Sequence, residues 1–177
     1  MPFATKEVVI TPYDPRWPQQ FESRRQALSS LLDGLPILSI QHVGSTSVEG
    51  LAAKAILDID VVIPSPAEFP VVCQRLEQAG YIHQGDLGLP GRHALHREET
   101  GAMPCHLYVC WQDAAPYREH IAFRDYLRTH EEARQAYQAL KILLAGPFRY
   151  DPDAYCQHKT DFIRGILQQA QEGQTVQ

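Results

Sequence analysis

The sequence predicts an α+β protein in which a mixed β-sheet with flanking helices gives way to a helical C-terminal part. Three observations predict it. The β-branched run from Ala55 to Ile63 lacks helical spacing, the apolar runs before Ala114 are short and separated by glycine and proline, and from Ala114 onward the apolar period lengthens to that of helices. The 177 residues, 44% hydrophobic and 21% charged, suit one core. A single unit is therefore expected over 1–177, sheet-rich at 1–113 and helical at 114–172.

Each element has a local cause. Asp14-Pro15 is a helix-start signal, Trp17, Phe21, Leu28, Leu31 and Leu32 recur at helical spacing, and Gly34 supplies the stop. Leu35 to Val43 reads as a strand, Gly44 to Ser47 as a turn, and Ala55 to Ile63 as a second strand ended by Pro64 and Pro66. Ala67 to Ala79 is a helix, Tyr81 to His83 a strand, and Gln84 to Gly91 a loop. Arg92 to Arg97 and Cys105 to Trp111 form a hairpin around Glu98 to Met103. Three helices follow, at Pro116–Arg128, Glu131–Leu144 and Asp153–Gln171, with only the last few residues frayed.

Composition excludes several classes of function. The net charge of −5 argues against a broad nucleic-acid surface. The excess acid lies in residues 1–113, with eight Lys/Arg against thirteen Asp/Glu, whereas the remainder holds eight of each. No window approaches a membrane span, and the first seven residues lack the order of a signal peptide, so a cytoplasmic location is expected. Cys73, Cys105, Cys110 and Cys156 form no C-x-x-C pair and read as structural thiols.

The most informative stretch joins the turn Gly44-Ser45-Thr46 to Asp58-Ile59-Asp60. In a strand the side-chain period is two, so both carboxylates stand on one face, among apolar neighbours where unpaired charge is costly. A divalent cation relieves that cost; a solvated sheet face is the other reading of the same alternation. Glycine permits close backbone approach, and a serine hydroxyl with consecutive amides cradles phosphate.

A Gly-Ser turn followed after twelve residues by Asp-x-Asp resembles the signature of the nucleotidyltransferase superfamily, with its polymerase-β-like fold. One branch is closer. His42-Val43-Gly44-Ser45-Thr46-Ser47-Val48, Gly50-Leu51-Ala52-Ala53-Lys54 and Ile56-Leu57-Asp58-Ile59-Asp60 resemble the GrpB family, also called UPF0157. The likeness extends to Tyr13-Asp14-Pro15 with Trp17, the strand His106 to Val109, Phe123 to Arg128, Tyr137 with Lys141, and Tyr155 with Lys159. Glu49 and Ala55 stand where the family usually has proline, which alters turn stiffness and spares the chemical groups.

The resemblance implies that a nucleotidyl group passes from a nucleoside triphosphate to a small acceptor. Gly44, Ser45 and Thr46 would hold phosphate, and Asp58 and Asp60 a divalent metal, Mg²⁺ or Mn²⁺ with Zn²⁺ as a further option. The alternative is a catalytically degenerate module that binds a nucleotide or coenzyme-like phosphate. Some members of the family are fused to dephospho-CoA kinase.

A third carboxylate is usual on a later strand of active members, and here that strand offers His106 instead. It is a candidate third metal ligand or general base, against the plainer reading of a core histidine. Lys54, Arg124, Lys141 and Lys159 are candidate phosphate clamps. Arg97 is a further one, by strand alternation with His93 and Leu95, whereas His93 and His96 read as solvated. His42 is equally consistent with orienting the turn and with a site role.

Overall fold

A computed structural model of the chain describes residues 7–98 and 101–175. The last residues, expected to fray, the start of the chain and part of the hairpin loop lie outside those residues.

Five strands form one sheet in the order β1-β2-β5-β4-β3, with β1 Ser39–Val43, β2 Leu57–Ile63, β3 Ile82–His83, β4 Arg92–His96 and β5 Cys105–Trp111. β2 pairs antiparallel with β1 and parallel with β5, and β4 is antiparallel to both β5 and β3, so the sheet is mixed. The helices are α1 Trp17–Leu31, α2 Phe69–Gln78, α3 Ala115–Thr129, α4 Glu131–Ala145 and α5 Pro152–Thr175. No helix among the described residues is long and apolar enough to cross a membrane.

Several element boundaries differ from expectation, among them β1, which begins at Ser39 instead of Leu35, and two of the shifts have a local reason. α1 begins two residues after Pro15, because the Asp14 carboxylate accepts from Arg16 N at 2.9 Å and Asp14 O accepts from Trp17 N at 3.0 Å, which closes a turn first. The expected helix from Ala67 starts as a 3-10 turn over Pro66–Glu68, where Ser65 and Glu68 form a reciprocal capping box. None of the four cysteines is in a disulfide.

The alternation of β2 and β5 divides the sheet into two unlike faces. Leu57, Ile59, Val61 and Ile63 of β2, with Leu107 and Val109 of β5 and Leu95 of β4, form the main core with Leu28 and Leu32 at α1 and Val72 and Leu76 of α2. In register on the other face stand Asp58 beside His106 and Asp60 beside Tyr108. That face meets the C-terminal helices, whose own core gathers Val48 and Leu51 with Leu127 and Tyr137.

Candidate active site

The site begins where β1 ends. Gly44, at φ +70°, turns the chain into a 3-10 segment over Ser45–Ser47. A Cβ built on Gly44 would lie 2.2 Å from Asp58 Oδ2, so only glycine leaves room for that carboxylate. Ser47 Oγ donates to Gly44 O at 2.6 Å, which closes the turn. Thr46 is buried, and its hydroxyl donates to Ile56 O at 3.3 Å. That hydroxyl therefore accepts at 2.9 Å from His42 Nε2, and His42 also stacks on Phe21. Burial lowers the His42 pKa to about 4. His42 thus acts as a neutral prop for the turn, and the Thr46 hydroxyl, expected to hold phosphate, is occupied inside the fold.

Each acid holds a histidine. His106 Nδ1 donates to Asp58 Oδ1 at 2.8 Å, and His120 Nδ1 on α3 donates to Asp60 Oδ2 at 2.8 Å. Burial raises the Asp58 pKa, but the His106 hydrogen bond and the charges of His106, His120 and Lys54 outweigh it and hold it below the usual value. Asp60 is 0% exposed, and its Oδ1 is buried with no hydrogen-bond partner among the described residues. An orphaned carboxylate oxygen at such depth is costly.

His120 Nε2 in turn accepts from Arg92 Nη1 at 3.4 Å, and the Arg92 guanidinium lies 4.3 Å from the Tyr108 ring centroid. His120 and Arg92 were not among the expected site residues. The available signals were the i, i+4 spacing of His120 to Arg124 and the strand parity that separates Arg92 from Arg97.

A cleft of about 500 Å³ opens over Asp58 and His106. Ser45, Lys54, Lys141 and Lys159 line it, as do Tyr108 and Tyr155. Lys159 Nζ sits 4.2 Å and Lys54 Nζ 5.7 Å from the Tyr155 ring centroid. Lys141 is only 2% exposed, donates to Ala52 O, and lies 4.8 Å from the Tyr137 ring centroid. Burial, reinforced by Lys159, lowers its pKa to about 7, and burial likewise lowers that of Lys159. Among the described residues none of these three lysines is ion-paired with a carboxylate.

Two expected clamps lie elsewhere. Arg97 Nη1 donates to Ala79 O at 3.2 Å and its guanidinium stacks over Tyr81, on the α2 side of the sheet, because it shares strand parity with the core residue Leu95. Arg124 Nη1 donates to Gln41 Oε1 and to His42 O, while its Nε engages Asp125, so it braces the end of β1. Arg128 does the same for the turn, with Nη2 donating to Ser47 O at 2.7 Å.

The donor set suits a magnesium-like ion of one particular kind. No group of three or more His, Cys, Asp and Glu that could hold a metal gathers among the described residues. The protein offers two hard carboxylates on one strand face, one with a partnerless buried oxygen. Mg²⁺ commonly takes one or two carboxylates and completes its shell with substrate phosphates and water. The residues present therefore fit an ion that arrives with a phosphate ligand.

The chain matches the GrpB protein family over residues 7–169. It is 29% identical over 163 residues to the UPF0157 protein YqkA of Bacillus subtilis, covering 92% of this chain and 47% of that protein, so it spans about half of that relative. The crystal structure of the conserved protein GrpB from Enterococcus faecalis superposes with a TM-score of 0.81 at 34% identity, over 93% of this chain and 98% of that one. Cid1, solved with its short product ApU, superposes with a TM-score of 0.52 at 13% identity, over 76% of this chain and 41% of that one, a likeness of fold. With the Gly44 turn set against Asp58 on a mixed sheet of this topology, the chain belongs to the GrpB family and has the fold of the nucleotidyltransferase superfamily.

Proposed function

We propose that this protein binds a nucleoside triphosphate with a divalent cation and transfers its nucleotidyl group to a small acceptor. One observation carries the reading: the Asp58 carboxylate, the Ser45 turn and three lysines without carboxylate partners among the described residues line a single cleft. Asp58 and Asp60 would hold the ion, which when bound draws charge from the breaking phosphoanhydride. Lys54, Lys141 and Lys159 neutralise the phosphate oxygens. Their own mutual repulsion and burial are relieved when an anion enters. His106, oriented through Nδ1 by Asp58, stands beside the acid pair to take the proton of an acceptor hydroxyl.

The second reading is a module that binds a nucleotide or coenzyme-like phosphate without transfer. It is favoured by the register position opposite Asp58, where β5 presents His106 in place of an acid. Calorimetric titration with ATP, with and without Mg²⁺ or Mn²⁺, tests the shared part of both readings. Saturable binding that requires the ion and falls roughly a hundredfold in Asp58→Asn, about the loss of one ligand to a hard cation, is expected. Binding that is absent, or unchanged in that variant, overturns both. Pyrophosphate release in the presence of small hydroxyl-bearing acceptors separates transfer from binding alone.

A further inference from the structure

We infer that Leu87 and Leu89, on the loop between β3 and β4, form a nucleobase-binding wall of the cleft, so that its ligand is a nucleoside polyphosphate rather than a phosphate carrying only polar groups. The inference rests on the reading of the lysine-lined cleft as a phosphate site and adds what holds the rest of the molecule.

Both leucines line the same cleft as Asp58, Lys54 and Lys159. They are 39% and 44% exposed, although leucine normally gains stability from burial. Their loop is closed on itself through its backbone: Gly88 N donates to Asp86 Oδ1 at 2.9 Å, Leu89 N to Asp86 O at 3.0 Å, and Arg92 N to Leu89 O at 3.2 Å. The loop is fastened to β4 by Gln84 N donating to Ala94 O and Ala94 N donating to Gly85 O, each at 2.9 Å.

Leu87 has a φ of +52° and is the one non-glycine at positive φ among the described residues. A branched apolar side chain in that region is strained, and such strain persists where the surroundings impose it, often at ligand clamps. An asparagine or glycine would satisfy the backbone better. What leucine supplies is apolar surface at the cleft.

The cleft is thus cationic around the Tyr155 ring, where Lys54 and Lys159 gather, and apolar along the loop. Its volume of about 500 Å³ falls in the range that encloses a small organic ligand. A flat base bearing a triphosphate matches both ends. A polyphosphate or sugar phosphate leaves the leucines in water.

The test compares ATP with tripolyphosphate, each with Mg²⁺, on the parent chain and on two variants. Leu87→Asn keeps a residue that tolerates positive φ and removes the apolar surface, and Leu89→Ser does so at an ordinary backbone position. ATP should bind the parent more tightly than tripolyphosphate. Each variant should weaken ATP by about fivefold to tenfold, the loss of one partly buried leucine contact, and leave tripolyphosphate within twofold. Equal affinity of the parent for both ligands, unchanged ATP binding in both variants, or parallel loss of the two ligands overturns the inference and spares the phosphate site. Failure of both ligands to bind the parent overturns both.

Discussion

The two faces of the sheet use the same strands for opposite ends. On one face Leu57, Ile59, Val61 and Ile63 meet α1 and α2 as shape against shape, and nothing there needs a partner of opposite charge. On the other, Asp58 and Asp60 each need a proton donor or a cation. His106 and His120 supply the donors, while among the described residues Asp60 Oδ1 keeps no partner and the three lysines of the cleft keep no acid. A face designed only for stability would replace these groups with apolar ones at little or no cost. Retaining charges that do not neutralise one another is the difference between the two faces on which the proposed ligand site rests.

That contrast can be broken from either side. The largest effect is expected on the apolar face. Ile59→Ala should cost about 4 kcal/mol in chemical denaturation, through lost burial and an unfilled cavity, while folded molecules bind ATP with unchanged affinity. A matching loss of ligand affinity would show that the two faces are not separable.

The second effect is a pH dependence at the end of β1, where His42 pairs with the core residue Ile59 and props the Thr46 turn. His42 has a folded pKa of about 4, below its ordinary 6.5, so the unfolded chain takes up a proton that the folded chain refuses. Its contribution is complete above about pH 6.5 and is lost as the pH falls from there towards 4, up to about 3 kcal/mol in all. His42→Gln, which keeps a donor for Thr46, should flatten the decline of the denaturation midpoint across that window. Parallel profiles for parent and variant would remove His42 from the account.

The smallest effect is expected at Arg97, which sharpens the division. Arg97→Ala loses the hydrogen bond to Ala79 O and the stacking on Tyr81 on the α2 side, worth about 1 kcal/mol, and should leave ATP binding unaltered in the same titration. Weaker binding in this variant would return Arg97 to the cleft.

Much of this arrangement was legible in the sequence. The spacing of Asp58 and Asp60 placed both on one strand face, and the glycine before Ser45 stands where the structure demands one. The three C-terminal helices were readable from period alone. What period cannot say is which face of a strand looks where. Alternation alone puts residues 92 and 97 on opposite faces of their strand, yet only the pairing of β4 with β5 shows that Arg92 joins the acids and Arg97 joins the core. His120 was illegible for a related reason. Its partner Asp60 is 60 residues away, and the docking of α3 on the sheet that joins them has no local signal. Arg124 was misleading because a cation on the correct helix spends its donors on the backbone of β1 instead of facing the cleft.

The parallel ladder between β2 and β5 carries a consequence for how the chain reaches this state. It joins segments 48 residues apart, and the same rungs set both the core and the acid-histidine pairing. A slip of β2 by one residue would turn Asp58 and Asp60 into the hydrocarbon beneath α1 and α2 and strand Leu57 and Ile59 against the helices of the cleft. No intermediate alignment satisfies either side. The hydrophobic layer therefore proofreads the placement of the acids, and a molecule that has buried its core in this register has, by the same act, set Asp58 beside His106 and Asp60 beside Tyr108.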